Sequence, residues 1–305
     1  MDRCVCAVSV SESVGLLVIG LLIVVSYAAW ILWNVLFPFL ASLGDPVKRW
    51  RKAVRRNPDN AKAHFNLGVA LGMKGDADAA IAEFREAIRL NPCDARAHHS
   101  MGFMLARTGD VGGGTLEYRE AIRLNPGDAM AHLALGVLLG MKGDLDGSIS
   151  EYREAIRLKP DYSEAHFNLG IALRKKGDAD GATAEYREAI RLKPDFPEVR
   201  VNLGVVLRGK GDLDGAIAEN REAIRLKPSC AVAHYNLACY LALQRKITDA
   251  TMSLHRAVDL DPQFLDMARE DHDFDGLRNA PEIIEILGAA PYAKPDNEPD
   301  TPPTE

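Results

Sequence analysis

Glu151-Tyr-Arg-Glu-Ala-Ile-Arg-Leu-Lys-Pro160 decides the fold, because close copies of it return at a fixed interval along the chain. Pro58, Pro92, Pro126, Pro160, Pro194, Pro228 and Pro262 are each 34 residues apart, and Arg-Glu-Ala-Ile-Arg-Leu precedes five of them. A period of this length marks a stacked array, in which each unit buries its apolar face only against its neighbours. The sequence holds no Ser/His/Asp constellation, no paired-carboxylate pocket and no dinucleotide fingerprint. Its tyrosines and carboxylates recur at the repeat period, as duplication of a scaffold produces. The reading is non-enzymatic, with no cofactor and no metal.

The units run 61–94, 95–128, 129–162, 163–196, 197–230 and 231–264. In the fourth, Ala165, Leu169, Gly170 and Leu173 fall at helical spacing, Lys176-Gly177-Asp178 interrupts, and Ala182, Tyr186, Ala189, Ile190 and Leu192 resume it. Each unit is therefore a pair of amphipathic helices. Gly177 is expected to end the first helix in the left-handed conformation and Asp178 to cap the second. Pro194 closes the second helix, and Asp195 is expected to cap the next unit. Glu188 and Arg191 are placed to pair at i,i+3. The second unit carries Gly112-Gly113-Gly114 in its second helix. No strand precedes these glycines and no Lys-Ser/Thr follows, so they read as a locally soft unit and not as a phosphate loop.

The units resemble tetratricopeptide repeats over residues 46–264. The resemblance rests on the Leu-Gly pairs (Leu67-Gly68, Leu135-Gly136, Leu169-Gly170, Leu203-Gly204), the Ala/aromatic/Ala pattern of the second helix and the closing Pro-Asp. It implies an all-α, right-handed superhelical solenoid of antiparallel helix pairs whose concave groove holds peptide segments. Where the family opens with Trp, this chain has His64, His98, His132, His166 and His234, with Arg200 in the fifth unit. One histidine per repeat does not converge on an ion, so core-edge packing is the expected role. Asn66, Asn168, Asn202 and Asn236 form an interrupted row at the sixth position, and an amide can pair with a partner backbone whatever its sequence. Beside them lie Phe65, His99, Phe167 and Tyr235, and four residues on Phe103 and Ile171. These ten residues are the expected partner-binding set. The Lys and Asn that clamp a C-terminal carboxylate in one subclass of the family are absent.

A net charge of −6 argues against a general nucleic-acid binder. The five cysteines form no C-x-x-C pair and read as reduced thiols, with Cys4 and Cys6 as a weak acylation candidate. Residues 13–44 carry no formal charge, and 14–40 is long and apolar enough for a membrane-spanning helix after a short tail, 1–13. Trp30, Trp33 and Phe37 gather at one end, as interfacial rings do. The basic run Lys48, Arg49, Arg51, Lys52, Arg55 and Arg56 follows at once, which places the repeats in the cytoplasm by the positive-inside rule and offers a contact for anionic headgroups. Residues 45–60 also align with the second helix of a partial repeat, with Trp50 at the place of Phe84. At the other end, 265–288 is expected to cap the array, and the Pro-rich acidic stretch 289–305 to stay unfolded. Asp271, Asp273 and Asp275 resemble a calcium loop but lack its distal Glu, so a cap turn is expected. The reading that follows is a single-pass membrane protein whose repeats recruit a protein or peptide. The alternatives are a substrate-recruiting adaptor of a separate enzyme, or an envelope assembly factor if the repeats lie outside the cytoplasm.

Overall fold

A computed structural model describes residues 45–288, so the expected membrane span 14–40 and the tail 289–305 lie outside the described residues. Among the described residues all regular structure is helical, and no helix is long and apolar enough to cross a membrane. The chain falls into two compact units, one ending at Leu192 and the other beginning at Lys193, and each is described by itself.

The N-terminal unit opens with α1 (Pro46–Arg56), capped by the Asp45 carboxylate at the Val47 amide. Four helix pairs follow: α2 (Ala61–Met73) with α3 (Ala77–Leu90), α4 (Ala95–Arg107) with α5 (Val111–Leu124), α6 (Ala129–Met141) with α7 (Leu145–Leu158), and α8 (Ser163–Lys175) with α9 (Ala179–Leu192). Each helix packs on its sequence neighbour, and the first helices α2, α4, α6 and α8 also touch in series. Val47 is buried, and Trp50 and Val54 pack against the core of the first pair. Its six basic residues all remain exposed.

The Leu-Gly pair owes its glycine to the aromatic of the second helix. A Cβ at Gly170 would stand 2.6 Å from the Tyr186 ring, and one at Gly136 equally close to Tyr152. Tyr118, Tyr152 and Tyr186 are at most 2% exposed, so these rings are the centre of each pair. Between the helices, Gly177 takes φ 88° and Asp178 Oδ1 accepts from the Gly181 amide at 2.8 Å. Arg191 donates to Glu188 at 2.6 Å, the i,i+3 pair expected on the outer face.

The expectation for Asp195 is corrected. The capping position is the second residue after the proline, because a two-residue turn separates the proline from the next helix. Asn60, Asp94 and Asp128 stand there and accept from amides of the first turn, whereas Tyr162 and Phe196 stand there in the fourth and fifth repeats and make no side-chain cap. Asp195 sits one residue too early.

The glycine triplet in α5 is continuous helix. Gly114 is needed, since a Cβ there would meet the Gly102 carbonyl at 3.1 Å and Leu138 at 3.0 Å. Gly112 is not: a Cβ there would meet only Asp110 Oδ1, at 3.6 Å. Gly112→Ala is therefore expected to raise stability by about 0.5–1 kcal/mol, the helical cost of glycine relative to alanine. Urea unfolding of the full chain checks this, and an unchanged or lower midpoint would contradict it.

The C-terminal unit contains α10 (Pro197–Gly209) with α11 (Leu213–Leu226) and α12 (Ala231–Leu243) with α13 (Ile247–Leu260). Its closing segment comprises α14 (Gln263–Glu270), a 3-10 turn (His272–Leu277) and α15 (Pro281–Leu287). Helices α14 and α15 cover α13, and the 3-10 turn lies on α12. The last pair lacks the turn glycine: Arg245 takes φ 57° in its place.

Candidate functional site

The first helices present positions five, six, nine and twelve of each repeat along one face, because i, i+4 and i+7 share a helical side. In the N-terminal unit this face is half open. Phe65, Phe103, Phe167 and Ile171 are each partly buried, as are Asn66 and Asn168. Phe65 packs against Phe84 with ring centroids 5.8 Å apart, and the Arg96 guanidinium lies 5.3 Å over it. Phe103 is covered in the same way by Arg107. His99 is tied down, with Nδ1 3.1 Å from Asp128 and its ring edge-on to Tyr118 at 5.3 Å. The asparagines spend one donor within their own helix: Nδ2 of Asn66, Asn168 and Asn202 donates to the carbonyl four residues back at 2.8–2.9 Å.

In the C-terminal unit the same face is covered by the chain itself. Tyr235 is 1% exposed and Asn236 3%, so neither is open to a partner in this conformation. The Tyr235 ring stacks on Phe264 at 4.8 Å and lies 6.2 Å from Phe274, and its hydroxyl donates to Asp271 at 2.8 Å. Arg208, at position twelve of the fifth repeat, pairs with Asp273. The closing segment thus caps α13 and also fills the face on which Tyr235 and Asn236 were expected to meet a ligand.

The aspartates of that turn are engaged as a cap turn requires. Asp271 accepts from the Asp273 amide, and Asp275 pairs with Arg278 and His272. Cys239, Asp271 and Asp273 bring ligand atoms within 4.8 Å of one another. Arg208 pairs with Asp273 Oδ1 and the Tyr235 hydroxyl donates to Asp271, while Asp273 Oδ2 is buried without a hydrogen-bond partner; no metal is assigned to the cluster. Desolvation and the Asp271 charge hold the Asp273 carboxyl above the usual range, against the pull of Arg208.

Four histidines of the repeat row, His64, His98, His132 and His166, are buried and clamped at both nitrogens. His166 Nε2 donates to the Pro160 carbonyl at 3.2 Å, and Nδ1 lies 2.6 Å from Glu185. His64, His98 and His132 make the same pair of contacts, to Pro58 and Glu83, Pro92 and Glu117, and Pro126 and Glu151. Arg200 repeats it with Glu219 and the Pro194 carbonyl. With an acceptor at each nitrogen the position favours a cation, which explains why arginine substitutes there. His234 has the Pro228 carbonyl but Ser253 where the glutamate would be, and desolvation holds it below the ordinary value. The row is a hydrogen-bonded strut between the two helices of a pair. The expected packing role missed the glutamate 19 residues on, although its spacing is legible.

An open groove of about 940 Å³ lies along α7 and the turn after α8. Its charged groups neutralise one another, with Lys176 2.5 Å from Asp146 and Arg157 2.6 Å from Glu154, so nothing converges there for chemistry.

The comparisons agree with this architecture. Models of the tetratricopeptide repeat match residues 47–95, 167–229 and 201–263, and a TPR repeat model matches 141–177, together more than half of the chain. No curated protein matches the sequence. Among solved structures, the chain is similar to YrrB, described as a TPR protein with an unusual peptide-binding site, at 21% identity and TM-score 0.54, covering 60% of this chain and 95% of that one. MamA from Desulfovibrio magneticus RS-1 is similar at 20% identity and TM-score 0.53, covering 56% and 96%. Pseudomonas aeruginosa pilF is similar at 18% identity and TM-score 0.61, covering 69% and 97%. At these identities the likeness concerns the fold. With the helix pairs, the Leu-Gly contact and the repeat models in agreement, the chain belongs to the tetratricopeptide repeat family.

Proposed function

We propose that this protein is a membrane-anchored scaffold that binds a peptide segment of a partner on the first-helix face of its repeats, with no catalysis of its own. The observation that carries the reading is the row of half-buried Phe65, Phe103, Phe167 and Ile171 in the N-terminal unit, with Asn66 and Asn168 alongside. Large apolar side chains left partly open in series form an anchor surface, and the amide oxygens not used within the helix remain as acceptors for a partner backbone. The peptide-binding site described for YrrB makes this a natural use of the fold. Anchoring rests on the apolar stretch 14–40 and on the exposed basic residues of α1 beside it, each contributing about 1 kcal/mol at an anionic surface.

The test is peptide display against the full chain, followed by affinity measurement with single variants. Phe103→Asp and Phe167→Asp should each weaken selected peptides at least tenfold, while Leu116→Asp, at an exposed position on a second helix, should not. Selected peptides that bind all three variants like wild type would remove the groove reading. Resistance to alkaline extraction from membranes checks the anchor, and a reporter fused after Glu305 reads the orientation.

A further inference from the structure

On the first-helix face of the N-terminal unit, Arg174 is a cation that no carboxylate of the described residues pairs with. It stands at position twelve of the fourth repeat, the register that Arg208 holds in the fifth. Arg208 has an acidic partner, Asp273, delivered by the chain's own closing segment. Arg174 is half-buried, its buried Nε has no acceptor, and among the described residues no carboxylate pairs with it. The buried Tyr186 hydroxyl likewise has no hydrogen-bond partner. Burial pushes that phenol up to about 12 while the Arg174 charge and hydrogen-bonding capacity pull against the rise, so the two groups face one another. The phenol oxygen can accept from the guanidinium but is neutral, so it gives the Arg174 charge no counter-ion. Lys175, next in sequence, is held below the ordinary lysine range by desolvation and by the Arg174 charge. Lys176 is already committed to Asp146. The end of α8 therefore carries an excess of positive charge, and Ile171 and Phe167 lie one and two turns back on the same side.

The chain supplies its own example of what such a face accepts. On the C-terminal unit the occupant is Asp271-His-Asp-Phe274, with carboxylates on Arg208 and the Tyr235 hydroxyl and the Phe274 ring 6.2 Å from Tyr235. We propose that Arg174 receives an aspartate or glutamate of a partner's peptide segment, and that an aromatic residue near that acid packs against Ile171 and Phe167. This rests on the groove reading above and narrows it to acidic, aromatic-bearing segments. A charge-assisted pair at a half-buried guanidinium is strong because the cation is already partly desolvated before the partner arrives.

The probe is a fluorescein-labelled peptide with the sequence of residues 269–277, Arg-Glu-Asp-His-Asp-Phe-Asp-Gly-Leu, titrated against the full chain by anisotropy. Wild type is expected to bind it, Arg174→Glu to weaken it at least tenfold, and Arg174→Gln to weaken it less. A peptide with its three aspartates changed to asparagine should fail on wild type, and a peptide with them changed to lysine should regain affinity for Arg174→Glu. Circular dichroism verifies that the variants fold. Absence of binding to wild type, or equal binding to wild type and Arg174→Glu, overturns the proposal. Sedimentation of the full chain alone is a second arm: a self-association that Arg174→Glu dissolves would make the occupant a second copy and would also overturn it. If displayed peptides depend on Phe103 and Phe167 but show no acidic preference, the groove reading stands and only this inference falls.

Discussion

Asn220→Phe is expected to stabilise the C-terminal unit by about 2 kcal/mol. Asn220 occupies the place that Phe84, Tyr118, Tyr152 and Tyr186 hold in other repeats, and it is 0% exposed. Its Nδ2 donates back to the Ala216 carbonyl at 2.9 Å, but its Oδ1 has no partner. A buried acceptor left unsatisfied costs about 1–3 kcal/mol, and burying an aromatic there adds about 1.5–3 kcal/mol of transfer energy before losses to imperfect packing. Gly204 leaves the room, as Gly68 does under Phe84. Phenylalanine is preferred to tyrosine because it brings no hydroxyl to satisfy. The check is the urea midpoint of the full chain for Asn220→Phe alone and with Gly204→Ala. The second change should cancel the gain, since a Cβ at position 204 collides with side chain 220. A lower midpoint for the single variant would show that this repeat has closed around the smaller residue.

The His166 strut should make stability depend on pH. Burial pulls the His166 pKa down, but hydrogen bonds to Glu185 and the Pro160 carbonyl, with the charges of Glu185 and Glu188, outweigh it and hold the imidazole above its ordinary value. A group raised in this way stabilises the fold fully below its unfolded pKa, about 6.5, and loses that contribution as pH rises through the folded value. Below that range His166→Ala is expected to cost about 2–3 kcal/mol, as the loss of hydrogen bonds to a charged group. As pH rises from about 6.5 the difference should shrink. His166→Arg should remove this pH dependence, because Arg200 makes both contacts with a permanent charge. Thermal melts from pH 5 to 9 test it: a His166→Ala deficit that is constant over that range would mean the imidazole acts as a neutral strut.

What was legible in the residues, and what was not, follows from how local each contact is. The Leu-Gly pairs, the turn glycine and the i,i+3 ion pair involve neighbours at fixed separations within one helix pair, and the repeat prints them many times over. Pro-Asp is conspicuous in the sequence, but capping depends on where the turn ends, one residue later, where Tyr162 and Phe196 make no side-chain cap. The register of Tyr235 and Asn236 matches the other repeats and predicts that they face a ligand. Register cannot say that a segment outside the repeat lies on top of them.

The sequence by itself determined the helix pairs, their period and their stacking. A strict 34-residue repeat of apolar, small and turn residues has only one way to bury its faces. Tertiary structure alone decided which part of the first-helix face stays open. The closing segment occurs once and follows no repeat, and it is placed by long-range contacts: Asp273 with Arg208, Asp271 with Tyr235, and Phe264 and Phe274 against the Tyr235 ring. These cover Tyr235 and Asn236 within the C-terminal unit; in the N-terminal unit Phe103, Phe167 and Arg174 are half-buried.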